Sequence, residues 1–249
     1  MELGQHFLVD RRVIRRICDY ADLYADDTVL EVGCGRGNLT EELLKRAGKV
    51  YGIEIDRNLV SVLRERFQKE IRDGKFELIQ GDALKVDFLQ FKKFVSNIPY
   101  KISSPLTFKL LKSDFEVAVI MYQKEFAERL IANAMGKNYG RLSVIAKSYC
   151  RAEILEYVPK TRFRPMPDVD SAIVKIIPKP KFEIRNREVF EDLVTFVFSR
   201  KRKMLNKSIL EWAELRKLKV NLKENLMKKR PEEVEPEVYA MLADSVDLI

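Results

Sequence analysis

The stretch VLEVGCGRGNLTEELL, residues 29–44, passes from a β-branched segment through three closely spaced glycines into a helical pattern. Gly33, Gly35 and Gly37 allow a sharp backbone turn and close approach of a ligand, while the following helix start offers free N–H groups. The dinucleotide fingerprint is G-x-G-x-x-G; here one residue is missing, which tightens the loop and suits a pyrophosphate less well. Glycines also simply terminate strands, so the loop alone is a weak signal.

Outward from this loop, short β-branched runs alternate with helical patterns. Helix 11–22 precedes TVLEVG (28–33), helix 39–47 follows it, and KVYGIEI (49–55), a charged helix from Arg57 to about Glu70 and KFELIQG (75–81) continue the series. Next come FVSN (94–97), a helix from about Ser104, FEVAVIMYQ (115–123) and the helix KEFAERLIA (124–132). This alternation predicts an α/β fold, a Rossmann-like, mostly parallel sheet covered by helices on both faces. After Tyr139 a helix-like RLSVIAKSY leads to AEILEYV (152–158), a Pro-rich loop and SAIVKIIP (171–178). Seven strands are expected, the last two forming an antiparallel pair at the sheet edge. Pro178 and Pro180 mark a linker. The expected domains are therefore residues 1–178 and a small C-terminal all-helical domain at 179–249.

Three strand ends carry polar groups at the carboxyl edge, where open α/β sheets bind ligands. Glu54, 21 residues after Gly33, can accept hydrogen bonds from both hydroxyls of a ribose. Asp82 closes the third strand and can accept from an adenine amine, although it can also cap the segment that follows. A nucleoside without pyrophosphate points to S-adenosylmethionine, with the fourth strand end, Asn97, facing the reactive methyl. The following NIPY, residues 97–100, then has a chemical reading beside its plainer one as a strand–helix turn. The exocyclic amine of adenine is a weak nucleophile because its lone pair is delocalised. The Asn97 side-chain oxygen and the Ile98 carbonyl would favour a pyramidal nitrogen aimed at the methyl, and Pro99 holds Ile98 extended. Tyr100 offers a face for an unstacked base, worth roughly 1–3 kcal/mol. No general base is required, and rate would come from alignment.

Composition agrees. The 249 residues, 46% hydrophobic, suffice for a full core. No run of 18 apolar residues and no signal-peptide pattern is present, which leads us to expect an intracellular, cytoplasmic chain. Cys18, Cys34 and Cys150 are too few and scattered for a disulfide framework or zinc cluster, and a single histidine, His6, argues against a His-based triad or a His-ligated metal site. The net charge is +8, concentrated in residues 199–230, where 12 Lys and Arg stand against 3 Glu. Such a block either neutralises phosphates or is a solvated helix face.

With these motifs together, the sequence resembles the ribosomal-RNA adenine N6,N6-dimethyltransferases (KsgA-like), with the erythromycin-resistance rRNA methylases as close cousins and mitochondrial transcription factors sharing the fold. The resemblance covers nearly the whole chain: LGQHFLVD (3–10), EVGCGRGNLT, GIEID, GDAL, NIPY, YQKEFAERL (122–130), YGRLSV (139–144), RPMPDVDSAIV (164–174) and FSRKRKMLNKSI (198–209). It implies a class I methyltransferase sheet, S-adenosylmethionine as cofactor, and a cofactor site of Gln5, His6, Leu8, Gly33, Gly35, Glu54, Asp82, Ala83 and Asn97. It implies Asn97, Ile98, Pro99 and Tyr100 at the reacting amine, with Phe163 sandwiching the flipped adenine against Tyr100; a loop aromatic is otherwise more often core. The implied substrate is a pair of adjacent adenosines in a hairpin near the 3′ end of small-subunit rRNA, each receiving two methyls. No surplus apolar stripe is evident, so a monomer is expected. A methylase of large-subunit rRNA or DNA adenine, and a non-catalytic assembly or transcription factor on the same fold, are the alternatives. The family usually carries a basic N-terminal extension before LGQHFL, which here begins two residues after Met1; such an arm would serve RNA affinity.

Overall fold

The computed structural model describes residues 6–180, 182–220, 222 and 226–248. Gln5 lies outside them. The chain divides into two compact units, the first made of residues 1–127 and 152–178 and the second of 128–151 and 179–249.

The first unit begins with β1 (Phe7–Leu8) and α1 (Arg11–Ala21). Asp10 caps α1 by accepting from the N–H groups of Arg12 and Val13, and Val13, Ile14, Ile17, Cys18 and Ala21 form its buried stripe. There follow β2 (Thr28–Val32), α2 (Asn38–Arg46), β3 (Lys49–Glu54), α3 (Arg57–Arg66), α4 (Gln68–Arg72) and β4 (Phe76–Gln80). The charged helix expected from Arg57 to Glu70 is thus two helices, broken where Phe67 turns inward to the core. Next come β5 (Lys93–Asn97), α5 (Ser103–Leu110), β6 (Val117–Gln123) and α6 (Lys124–Ile131). After α7 (Arg141–Tyr149) the chain continues through β7 (Cys150–Val158), β8 (Phe163–Arg164) and β9 (Ser171–Pro178).

All seven expected strands join one sheet in the order β4-β3-β2-β5-β6-β9-β7. The pairs β4/β3, β3/β2, β2/β5 and β5/β6 are parallel, and β9 runs antiparallel to β6. The strand order reverses between β2 and β5. A crevice opens at such a reversal, outside the carboxyl ends of the strands. Gly33 and Asn97 follow or end those two strands, so the topology brings the glycine loop and NIPY together. β1 and β8 form a separate antiparallel ladder, Phe7 opposite Arg164 and Leu8 opposite Phe163, too short to show a period in the sequence.

The sheet also buries an ion pair. Lys93 Nζ lies 2.8 Å from Asp27 Oδ2, both side chains almost fully enclosed, and the same ammonium donates to the Asp22 carbonyl and sits 5.0 Å from the Tyr24 ring centroid.

The second unit contains α7, α8 (Arg187–Ser199), α9 (Leu205–Arg216) and α10 (Pro236–Asp244). The expected boundary at 178/179 is therefore only one of the crossings, since residues 128–151 belong here too. The reason is packing: Tyr139 donates to the Val234 carbonyl at 2.9 Å, and Tyr149 and Phe190 meet edge to face at 6.4 Å. A two-residue ladder, β10 (Leu218–Lys219) with β11 (Asp247–Leu248), interrupts the expected all-helical character. Among the described residues no helix is long and apolar enough to cross a membrane.

Candidate active site

A cavity of about 200 Å³ opens at the carboxyl edge where β2, β3, β4 and β5 end. Its lining includes Gly33, Gly35, Glu54, Asp82, Ala83, Asn97, Ile98, Pro99, Tyr100 and His6, which the sequence had singled out from five separate segments. Gly33 and Gly35 have φ of 77° and 57°, a region that favours glycine. A Cβ on Gly33 would stand 3.0 Å from Pro99 Cδ, and one on Gly35 would stand 3.0 Å from the Phe7 ring. The loop is thus fitted against NIPY on one side and β1 on the other, leaving a cradle that any larger side chain would fill.

Glu54 is 3% exposed. Its Oε2 accepts from Gly35 N–H at 2.8 Å and its Oε1 from Asp56 N–H at 3.0 Å. The carboxylate therefore organises the glycine loop, and each oxygen retains a further lone pair for a ligand hydroxyl. Asp82 combines both of its sequence readings: it lines the cavity and its Oδ1 caps the next turn by accepting from Leu84 N–H at 2.9 Å.

Asn97 is the least satisfied group of the site. Its Nδ2 donates to the His6 carbonyl at 3.4 Å, while its Oδ1 is buried without any partner. An unpaired buried amide oxygen costs about 1–3 kcal/mol, so a donor from a ligand is the natural complement. Tyr100 follows, its ring stacked 5.9 Å from His6 at 26° and its hydroxyl 2.8 Å from Ser171 Oγ; burial raises its pKa.

Two expected residues stand elsewhere. Phe163 is fully buried in the hydrophobic cluster with Leu8, Ile14 and Val95, so its ring presents no face to a base beside Tyr100; β8 pairing sends this side chain inward. Leu8 is buried in the same cluster and borders only a small adjoining recess with Gly33, Gly35 and Asn97.

Several lining or supporting residues escaped the sequence reading. Ile53 and Ile55 flank Glu54 in the cavity wall; Ile55 lies just past the end of β3, where strand alternation no longer applies. Lys109 on α5 donates to the carbonyls of Ala83, at 2.9 Å, and Val86, pinning the segment that carries Asp82. No local pattern marks a lysine that acts on a segment 23 residues or more away. Glu31, beneath the glycine loop, accepts from the Thr40 hydroxyl at 2.6 Å, and burial pushes its pKa up to about 7 against the lowering effect of that bond and of Cys34. In the unfolded chain this carboxyl ionises near 4.5. Stability should therefore fall as pH rises from about 4.5 to 7, and Glu31→Gln should flatten that dependence in denaturant titrations; an unchanged profile would place the charge elsewhere.

The cradle, the paired carboxylates and the orphaned acceptor together fit S-adenosylmethionine: a methionine end at the glycines and Asn97, a ribose at Glu54, an adenine amine at Asp82. The comparisons converge on the same chemistry. Residues 1–244 match the family model described as ribosomal RNA adenine dimethylase. A protein of Methanococcoides burtonii named "Probable ribosomal RNA small subunit methyltransferase A" is 45% identical over 97% of this chain and 91% of its own length. One of the same name from Pyrococcus furiosus is 46% identical over 95% and 88%. The crystal structure of a dimethyladenosine transferase from Plasmodium falciparum superposes with a TM-score of 0.80 at 36% identity, covering 95% of this chain and 96% of that one. The 23S rRNA methyltransferase ErmE gives 0.69 at 30%, covering 96% and 99%. A match that spans both compact units, the cavity and the helices alike, places the chain in the ribosomal RNA adenine dimethylase family.

Proposed function

We propose that the protein dimethylates N6 of two adjacent adenosines in a hairpin near the 3′ end of small-subunit rRNA, acting as a monomer on the RNA or an assembling small subunit in the cytoplasm. The observation that carries this reading is the partnerless Asn97 Oδ1 in a cavity that also holds Glu54 and Asp82. The names of the archaeal relatives support the choice of subunit.

When bound, S-adenosylmethionine supplies a methyl group made electrophilic by its sulfonium. The protein binds and aligns. Glu54 accepts from the ribose, Asp82 and Ala83 hold the adenine end, and the glycine loop leaves room for the methionine end. Asn97 Oδ1 and the Ile98 carbonyl accept the hydrogens of the target amine, so its lone pair points into the cavity. Tyr100, anchored through Ser171, supports the extruded base. This arrangement supplies orientation rather than proton abstraction. Mass spectrometry of unmethylated small subunits incubated with protein and cofactor, beside large subunits and duplex DNA, tests the reading: N6,N6-dimethyladenosine at two neighbouring positions of the small-subunit RNA is expected, and product only on another nucleic acid would move the target.

Glu54→Ala should weaken cofactor binding about tenfold or more, two charge-assisted acceptors being lost along with the loop they organise. Calorimetric titration with the cofactor measures this, and an unchanged affinity would remove Glu54 from the ribose.

The second unit contributes the basic block, although its charges are not equally free. Arg200 and Lys203 pair with Glu211 at 3.2 and 2.9 Å, Arg200 also stacks on Phe196 at 3.8 Å, and Lys201 donates to the Tyr139 carbonyl. Arg202, Lys207 and Lys228 are exposed. Changing these three to Gln should make the slope of log affinity against log salt shallower by about 2–3; an unaltered slope would place the RNA elsewhere.

A further inference from the structure

We propose that the arginine face of α1, extended by Arg162 and Arg164, is a second RNA-docking surface, on the catalytic unit, which holds the phosphates flanking the target adenosine. The inference rests on the rRNA methyltransferase reading above.

Helix α1 reads RRVIRRICDYA. Its buried stripe turns Arg11, Arg12 and Arg15 to solvent, and among the described residues none of these three side chains has a hydrogen bond or ion pair. Nearby cations behave differently. Arg16 makes a fork to Glu156 at 2.8 and 2.6 Å, Arg46 pairs with Asp19 and Glu42, and Arg66 with Glu41. The one acid at the start of α1, Asp10, is already committed to the helix cap and to Arg162 at 3.0 Å.

Folding does not account for these charges. Arg11 and Arg12 occupy the first turn, which contains no acidic residue, so they face the positive end of the helix dipole, where cations are unfavourable by about 0.3–1 kcal/mol each. Arg11 and Arg15 border a small recess with Glu41 and Glu42, whose carboxylates are already held by Lys45, Arg46 and Arg66, so guanidinium groups set against a dipole call for an anion from outside the chain. Arginine forks match phosphate oxygens in particular.

The topology ties this face to the cavity mouth. Arg164 stands opposite Phe7 in the β1/β8 ladder, Val9 N–H donates to the Arg162 carbonyl at 3.0 Å, and the His6 ring bonds the Pro165 carbonyl at 2.9 Å. Phe7 and His6 line the cavity. Arg162 is held by Asp10 and Arg164 by the Thr161 and Phe163 carbonyls, so for a strand that delivers an adenosine to Tyr100 the free cations of this surface are Arg11, Arg12 and Arg15, and charge complementarity selects a polyanion over an apolar or basic partner.

The test uses the full chain carrying Arg11→Gln, Arg12→Gln and Arg15→Gln. A control variant, Arg64→Gln, Lys69→Gln and Arg72→Gln, removes the same three charges from exposed positions on α3 and α4. Binding of unmethylated small-subunit RNA is titrated across salt concentrations, with cofactor affinity and thermal midpoint measured in parallel. The α1 variant should bind RNA roughly tenfold more weakly, with a salt slope shallower by about 2–3, while cofactor affinity is unchanged and the thermal midpoint is unchanged or raised. The control should lose less than about one unit of slope. Equal losses in both variants, or none in either, would overturn the surface. A wild-type protein that methylates the RNA while the α1 variant matches it in affinity and slope removes this surface alone; a wild type that neither binds nor methylates the RNA removes the substrate reading first.

Discussion

Asn97→Ala lowers kcat for rRNA methylation by about 10²–10³, while the cofactor dissociation constant moves far less. The size follows from what preorganised hydrogen-bonding groups at a reacting centre typically contribute. The direction follows from geometry. In the resting protein the Asn97 Oδ1 is buried with no donor, so the folded chain carries the cost of an unsatisfied acceptor that only a ligand relieves. If that ligand is the target amine, alanine removes an interaction needed for alignment and leaves the cofactor its other contacts at the glycine loop, Glu54 and Asp82. Single-turnover methylation beside cofactor titration separates the two quantities. Equal losses in turnover and cofactor affinity would assign the amide to the cofactor instead. The adjoining Gly33 gives a built-in comparison, because its closeness to Pro99 means a change there disturbs both loops at once.

Lys93→Met destabilises the first unit by about 3–5 kcal/mol, the usual consequence of leaving one member of a buried ion pair alone. Asp27 would keep the Tyr24 N–H as a donor at 2.8 Å but would lose its only buried cation, and the Asp22 carbonyl and the Tyr24 ring would lose theirs. For a chain of this size each kcal/mol is worth about 2–4 °C, so thermal unfolding should drop by roughly 6–20 °C. The double variant Asp27→Asn, Lys93→Met should recover most of the loss, since an apolar replacement of a whole pair is often nearly neutral. A single variant as stable as the wild type would show the pair to be solvated.

Much of the sheet was legible in the sequence because parallel strands covered on both faces appear as short β-branched runs between helical periods. The seven runs became seven strands, and their ends supplied Glu54, Asp82 and Asn97. The departures have physical causes. Phe163 reads as a loop aromatic in RFRPMP, but its pairing opposite Leu8 in the β1/β8 ladder turns it into the core. Residues 128–151 carry no composition change, yet the Tyr139 and Tyr149 contacts join them to the helices beyond Lys179. The run Arg200–Lys203 reads as one block of charge, while Glu211, one helix away, neutralises part of it.

Local sequence by itself determined the elements and the residue types at their ends, since periodicity, glycine conformation and strand termination are properties of neighbouring residues. It also determined the family, through motifs spread over nearly the whole chain. Tertiary structure alone decided which of those ends meet, because the reversal of strand order between β2 and β5 is a matter of pairing between distant segments. Only there does Asn97 Oδ1 become buried without gaining a partner, and Lys109 reach the carbonyls beside Asp82. Burial and long-range pairing set those energies, and neither is written in any short stretch of the chain.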